Sequence, residues 1–140
     1  MEYALVDNAL TARDLLRLRE GAGWGVGPER QIEEGFRNSL FTVAAMIDGQ
    51  VIGMGRLVGD GATICYVQDV IVTPEHQGKG IGKAIVERLI SHIRERGMPD
   101  TNMAVGLFSA KGKEEFYTKL GFVVRPNENR GAGMEMRLKI

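Results

Sequence analysis

The sequence is poor in the residues that support disulfide bonds and metal sites. It holds one cysteine, Cys65, and two histidines in 140 residues. A single cysteine excludes an internal disulfide and fits a reducing compartment, so we expect a cytoplasmic protein. His76 and His92 have no second ligand at metal spacing, so we expect no metal site.

Long apolar runs and an excess charge of either sign are also lacking. No run reaches the roughly 18 to 20 residues that a membrane helix needs, and the N-terminal residues 1–3 do not begin a signal peptide. Lysine plus arginine equals aspartate plus glutamate, 18 against 18. No net field therefore draws the chain to nucleic acid or to an acidic membrane, and we expect it to bind neither.

The chain has enough apolar residues for one core. Hydrophobic residues make up 44% of the composition and the mean hydropathy is −0.12. The length lies within the range of a single domain. No repeat, low-complexity tract or linker interrupts the sequence. We therefore expect residues 1–140 to form one domain.

Periodicity and turn residues predict a strand-rich first half. After a short opening strand, Thr11 caps a helix, and a glycine-rich loop around Trp24 follows. A second, shorter helix precedes three strands at 41–47, 51–58 and 63–72, which are joined by Asp-Gly turns. Consecutive strands with such short turns are expected to pair antiparallel.

The second half alternates helices and strands. A long helix at 80–96 leads to a strand at 102–108, a helix at 113–120, and strands at 122–124 and 134–138. This order predicts an α/β fold with a mixed, mostly antiparallel twisted sheet of six to seven strands and helices on both faces. The last strand, unless it is covered, offers an edge for a homodimer.

The most informative segment is the turn between the strand that ends near Val72 and the long helix. The first N–H groups of a helix have no partner within it, and the helix dipole places partial positive charge there. Gly78, Gly80 and Gly82 carry no Cβ, so a phosphate can approach the backbone closely. The turn is therefore expected to bind an anion, and a pyrophosphate can span several of its amides.

Two common phosphate-binding motifs are excluded by single residues. In the P-loop pattern, Gln77 stands where the first glycine is needed and Ala84 replaces the hydroxyl that would hold magnesium. Neither Gly78 nor Gly80 begins the Gly-x-Gly-x-x-Gly fingerprint of dinucleotide-binding folds.

Two motifs carry a resemblance to a known family. Residues 77–82 read Gln-x-x-Gly-x-Gly, entered from Val-x-Pro, and residues 116–122 read Phe-Tyr-x-Lys-x-Gly-Phe. In this pattern the chain resembles the GNAT superfamily of acetyl-CoA-dependent N-acetyltransferases, and in detail the plant and bacterial arylalkylamine (serotonin-type) branch. The resemblance implies an enzyme that transfers the acetyl group of acetyl-CoA to a primary amine of a small molecule, by direct attack in a ternary complex.

The resemblance also implies which residues bind acetyl-CoA. Backbone groups of the strand bind the pantetheine arm, and the Val70 amide lies near the thioester oxygen. Ser109 can replace the asparagine that many relatives place at the position of Ala110. Lys79 and Lys83 flank the pyrophosphate, although Lys83 can equally form a helix-surface pair with Glu87. The expected binding residues are Val70, Ile71, Val72, Gln77, Gly78, Lys79, Gly80, Ile81, Gly82, Lys83, Ser109, Phe116 and Lys119.

Tyr117 and Asp69 are the candidate catalytic residues. A phenol is protonated at neutral pH and can give its proton to the departing thiolate, so Tyr117 is the expected general acid, or else a core tyrosine. Asp69 is an acidic residue in an otherwise apolar strand, and it is either a base or the partner in a structural hydrogen bond. The positions that match the family's usual base are Tyr66 and Gln68, and neither is a good base.

The acceptor site and the activity itself keep alternatives open. Trp24 can stack on an aromatic or cationic amine or anchor a lid, and Glu128 can attract an ammonium group or be a solvated loop charge. The competing functions are an acyl-CoA-binding module with little turnover and an acetyltransferase that acts on a protein N-terminus or lysine.

Overall fold

The computed structural model describes residues 2–140. Met1, the first residue of the segment considered for a signal peptide, lies outside the described residues. The contacts divide the chain into two compact units, one ending at Leu107 and the other running from Phe108 to Ile140. The expectation of one domain over residues 1–140 stays a prediction.

The first unit contains one sheet and three α-helices within the described residues. The strands are β1 (Ala4–Asp7), β2 (Phe41–Ile47), β3 (Gln50–Gly59), β4 (Ile64–Val72) and β5 (Ala104–Gly106). The helices are α1 (Ala12–Gly21), α2 (Glu29–Arg37) and α3 (Ile81–Arg96), and a 3₁₀ turn at Pro74–His76 precedes α3.

The sheet follows the order of the chain. Its strand order is β1-β2-β3-β4-β5. The first four strands pair antiparallel, and β5 pairs parallel to β4. The parallel pairing requires a crossover, which α3 supplies. The predicted α/β fold with a mixed, mostly antiparallel sheet is confirmed.

Helices α1 and α2 cover one face of this sheet. Thr11 caps α1, since its hydroxyl accepts from the Asp14 amide at 3.2 Å while the Asp14 carboxylate accepts from the Thr11 amide at 2.9 Å. This reciprocal pair is a capping box. The core on this face combines residues of the helices, the strands and the segment before α1: Leu10, Leu15, Leu18, Ile32, Ala44, Val51, Met54 and Ile71.

Helix α3 packs on the opposite face. Its buried residues Ile81, Ile85 and Leu89 follow a four-residue spacing, as expected for one side of a helix. A Cβ placed on Gly55 of β3 would lie 2.7 Å from Ile85 Cγ2 and 3.0 Å from Leu89 Cδ1. The glycine therefore lets the helix approach the sheet, and the expected helices on both faces are confirmed.

The second unit has less regular structure than the sequence predicts. It contains α4 (Glu114–Thr118), and the turn beyond it closes where the Asn127 amide donates to the Arg130 carbonyl oxygen at 2.9 Å.

The predicted number of strands is wrong. Residues 122–124 and 134–138 form no strands, so the sheet has five strands rather than six to seven. Residues 134–138 alternate apolar and charged side chains, as a strand would, and all of them are exposed in the structure. A strand also needs a backbone partner, which a pattern does not specify. Without a strand at 134–138 the sheet lacks the edge on which the homodimer was expected, and the homodimer itself stays a prediction.

Candidate active site

The turn between β4 and α3 has the backbone shape that its glycines predict. Gly78 and Gly80 have φ of 76° and 82°, values that residues with a Cβ rarely adopt. Gly80 is the N-cap residue of α3. A Cβ built on either glycine would meet nothing within 4 Å. The turn therefore leaves an open surface over its backbone.

Hydrogen bonds within the turn hold this shape. The side-chain amide of Gln77 donates to the Val72 carbonyl oxygen at 2.9 Å. The His76 amide donates to the Thr73 carbonyl oxygen at 2.9 Å, and the His76 Nδ1 and Thr73 Oγ1 atoms also lie 2.9 Å apart. His76 is thus part of the turn.

The first amides of α3 have no partner within the helix. The first helical hydrogen bond runs from the Ala84 amide to the Gly80 carbonyl oxygen at 3.1 Å. The amides of Ile81, Gly82 and Lys83 precede this bond, and the first turn of α3 holds no acidic residue. An open, glycine-shaped backbone with free amides at a helix N-terminus suits a diphosphate, so these residues fit the acetyl-CoA expected there.

Strand β4 is interrupted by a bulge directly before the turn. Arg56 of β3 pairs with Gln68, whereas Met54 pairs with Ile71. Two residues of β4, Asp69 and Val70, therefore oppose the single residue between Arg56 and Met54 on β3. The backbone of Asp69 is left-handed, with φ of 54°.

The Asp69 carboxylate lies between two guanidinium groups. Its Oδ2 atom accepts from Arg56 Nε at 2.7 Å, and its Oδ1 atom lies 3.0 Å from Arg19 Nε. The Arg19 contact is an ion pair without the alignment of a hydrogen bond. The side chain of Asp69 is 1% exposed. These contacts favour the structural role that the sequence left open beside the catalytic one.

Arg19 and Arg56 contact the candidate residue Asp69, and the sequence analysis assigned no role to either. The signal was present, because a buried carboxylate in an apolar strand requires a counter-charge. The sequence does not tell which of its 18 basic residues supplies that charge. Only the fold brings the last turn of α1 and the middle of β3 to Asp69.

A cleft of about 330 Å³ lies beside the end of β4. One wall is the C-terminal part of α1, and the other is the end of β4 with the 3₁₀ turn. The lining residues are Arg17, Leu18, Gly21, Ala22, Ile71, Val72, Thr73, Pro74 and Glu75. Trp24 is exposed in the loop that follows α1, and its amide donates to the Arg19 carbonyl oxygen at 3.0 Å.

In the second unit, the half-buried Tyr117 contacts two aromatic rings. It makes edge contacts with Phe116 and Phe122, at centroid distances of 4.9 Å and 5.8 Å. Burial raises the pKa of the Tyr117 phenol above its ordinary value. The hydroxyl is therefore protonated at neutral pH, which a proton donor requires.

The other predicted residues of the second unit lie closer to solvent. The Ser109 hydroxyl donates to the Ala110 carbonyl oxygen at 2.8 Å. Lys119 pairs with Glu115 at 3.4 Å on the helix surface. Glu128 is exposed. The binding roles of Ser109, Lys119 and Glu128 stay predictions.

Three further observations concern metals, membranes and the single thiol. Among residues 2–140, no group of three or more histidine, cysteine, aspartate or glutamate side chains is arranged to hold a metal ion. Within the same residues, no helix has both the length and the apolar character that crossing a bilayer demands. Cys65 is buried, and this burial raises the pKa of its thiol.

The model of the acetyltransferase (GNAT) family matches residues 10–122. The chain therefore belongs to the GNAT family, and the resemblance drawn from residues 77–82 and 116–122 is confirmed. Members of this family use acetyl-CoA as the acetyl donor, so the chain is an acetyl-CoA-dependent acetyltransferase.

Two curated relatives and one solved structure illustrate the range of the family. The chain is 31% identical to serotonin N-acetyltransferase 2 (chloroplastic) of Oryza sativa, over 89% of this chain and 70% of the rice protein. It is 32% identical to histone acetyltransferase TAP1 of Glycine max, over 84% of this chain and 54% of the soybean protein. The structure of a Staphylococcus aureus protein of unknown function, described as a probable acetyltransferase, superposes with a TM-score of 0.84 at 29% identity, covering 98% of this chain and 100% of that one.

Proposed function

We propose that this chain transfers the acetyl group of acetyl-CoA to a primary amine of a small molecule, with both substrates bound together. The observation that carries the proposal is the turn at Gly78 and Gly80, whose left-handed backbone and open surface suit a diphosphate. Acetyl-CoA supplies the acetyl group as a thioester whose carbonyl carbon accepts the amine nitrogen.

Each residue of the site has a proposed task. The amides of residues 78–83 hold the diphosphate, and backbone groups of Val70 and Val72 hold the pantetheine arm. The Val70 amide, which lies within the bulge, donates to the thioester oxygen as negative charge develops there. Tyr117 gives its hydroxyl proton to the departing sulfur. Holding the amine and the thioester together in a reactive orientation supplies a large share of the rate acceleration without a dedicated base.

The acceptor class rests on two relatives with different named substrates. The rice relative is named for serotonin, an arylalkylamine, which agrees with the serotonin-type branch that the two motifs suggest. The soybean relative is named for histones, at a similar identity. We therefore keep a peptide amine as the second candidate. A cytoplasmic location and a homodimer stay predictions, and the rice relative is named chloroplastic.

Two measurements test the proposal. Calorimetry should detect binding of acetyl-CoA to the purified protein, and release of the coenzyme A thiol should then be followed across an arylalkylamine, a polyamine and two peptides. Turnover with a small amine supports the proposal. Turnover with peptides alone moves the function to protein acetylation. Binding without any turnover leaves an acyl-CoA-binding module, and a lack of binding overturns the assignment.

A further inference from the structure

We propose that Asp69 is a positioning residue, which together with Arg19 and Arg56 holds the bulge of β4 in shape and takes no proton from the amine. The inference rests on the proposed function, because it concerns the backbone that presents Val70 to the thioester.

The backbone at Asp69 needs such support. Its φ of 54° places a residue with a Cβ in the left-handed region. A backbone of this kind persists where the surroundings determine it. Because the bulge gives β4 one extra residue opposite β3, the conformation of Asp69 sets the direction of the next amide, that of Val70. A change at Asp69 is thus transmitted to the proposed oxyanion donor through one peptide bond.

Both carboxylate oxygens of Asp69 face arginines, Oδ2 through a hydrogen bond and Oδ1 through an ion pair. Arg56 Nε lies 2.7 Å from Oδ2, and Arg19 Nε lies 3.0 Å from Oδ1. The carboxylate is buried, with 1% of its surface exposed. A general base must reach the proton of its substrate directly or through one water. Oxygens that both face guanidinium groups in a buried site suit a fixed anchor better than a base.

The same arginines extend the anchor to both neighbouring helices. Arg56 Nη1 donates to the Ser39 hydroxyl at 2.9 Å and lies 3.3 Å from the Gly35 carbonyl oxygen, which ties the end of α2 to β3. Arg19 belongs to the last turn of α1, and its carbonyl oxygen accepts from the Trp24 amide at 3.0 Å. One carboxylate therefore links the bulge to α1, α2 and the loop that carries Trp24.

Kinetics of matched variants separate an anchor from a base. Asparagine tolerates a left-handed backbone and still accepts a hydrogen bond from Arg56, but it loses the ion pair with Arg19. Asp69→Asn should therefore lower kcat by about tenfold, which is less than the loss in Asp69→Ala. Asp69→Ala loses both properties and should lower kcat by about 30-fold or more. The KM for acetyl-CoA should stay within about twofold in both, since the glycine turn is untouched. A base would make Asp69→Asn as inactive as Asp69→Ala.

Arg56→Lys supplies a second comparison where Asp69→Ala does not fold. Lysine cannot hold Asp69 and Ser39 at once with one planar fork, so an anchor predicts a partial loss of kcat. A base predicts wild-type kcat in this variant. Asp7→Asn is the control, because Asp7 makes a similar two-point contact with Arg88, at 2.7 Å and 3.0 Å, on the distant strand β1. It should keep wild-type kcat.

Hydrogen exchange of the free protein tests the anchor without turnover. In Arg56→Lys, the amides of residues 66–72 should exchange at least about fivefold faster, while those of 85–93 in α3 stay unchanged. A wild-type protein that shows no turnover would contradict the proposed function, but hydrogen exchange would still show whether the contacts of Asp69 hold the bulge. Unchanged exchange at 66–72, with an inactive Asp69→Asn and a fully active Arg56→Lys, would overturn the inference.

Discussion

The side chain of Gln77 folds back and donates a hydrogen bond of 2.9 Å to the carbonyl oxygen of Val72. The two residues enclose the 3₁₀ turn at Pro74–His76, so this bond closes the entrance to the glycine turn. The glutamine of the Gln-x-x-Gly-x-Gly motif therefore acts as a brace, which means that its side chain holds the segment between Val72 and Gln77 in shape. The bond needs a side-chain donor of this length, and the amide group of glutamine supplies one.

We predict that Gln77→Ala weakens acetyl-CoA binding by about tenfold, the effect of losing roughly 1.4 kcal/mol of loop order. Gln77→Glu should weaken it further, because a carboxylate would face the Val72 carbonyl oxygen and a diphosphate. Calorimetry measures both. Gln50→Ala, at an exposed position at the start of β3, should bind like the wild type. Equal affinity of all three variants would contradict the brace.

Two glycines with the same backbone allow a matched test of the turn. Gly80 has φ of 82° and Gly49, in the β2–β3 hairpin, has φ of 76°, and a Cβ on either would meet nothing within 4 Å. Gly80→Ala and Gly49→Ala should therefore lower the free energy of unfolding by a similar amount, about 1 kcal/mol. Only Gly80→Ala should also weaken acetyl-CoA binding, because only its methyl group enters the proposed diphosphate surface.

Urea denaturation and calorimetry provide the two readouts. A loss of affinity in Gly49→Ala equal to that in Gly80→Ala would show that binding follows global stability, and the local role of the turn would then be wrong.

Some features of the fold and site can be predicted from the sequence, and the reason is physical. The strand 41–47, the cap at Thr11 and the glycine turn depend on local rules, because periodicity, capping and positive φ are set by nearby residues. The bulge at Asp69 and its two arginines are set by contacts between distant elements. The missing strands at 122–124 and 134–138 have the same origin, since a strand pattern does not name its partner.

We predict that Tyr117→Phe lowers kcat by about 100-fold while the KM for acetyl-CoA stays unchanged, as expected when a general acid is removed. The fold should tolerate the change, because the ring contacts with Phe116 and Phe122 are kept. The Tyr117 pKa is raised by burial above 10, so the wild-type kcat should not fall from this group until pH exceeds about 10. Tyr3→Phe is the control, and a Tyr117→Phe variant with wild-type kcat would contradict the role.

Away from the site, His92 of α3 stacks on Phe41 of β2. The ring centroids are 3.6 Å apart and the planes differ by 2°. Burial and the nearby positive charges of Arg88 and Arg96 lower the pKa of His92 below its ordinary value of 6.5, while Glu95 and Asp7 act in the opposite direction. The fold therefore favours the neutral imidazole.

This arrangement predicts that the protein loses stability as pH falls from 7.5 to 5.5. In that interval the unfolded chain binds a proton at His92 more readily than the folded chain does, so acidification favours unfolding. His92→Phe keeps an aromatic ring against Phe41 but removes the titrating group, so its free energy of unfolding should change less with pH. Asp7 does not contribute to the pH dependence in this interval. Its pKa is lowered from 3.8, chiefly by its hydrogen bond with Arg88, so its contribution to the free energy of unfolding is lost only at more acidic pH. Urea midpoints at pH 7.5, 6.5 and 5.5 measure the slope for both proteins, and an equal slope would show that the pH dependence arises elsewhere.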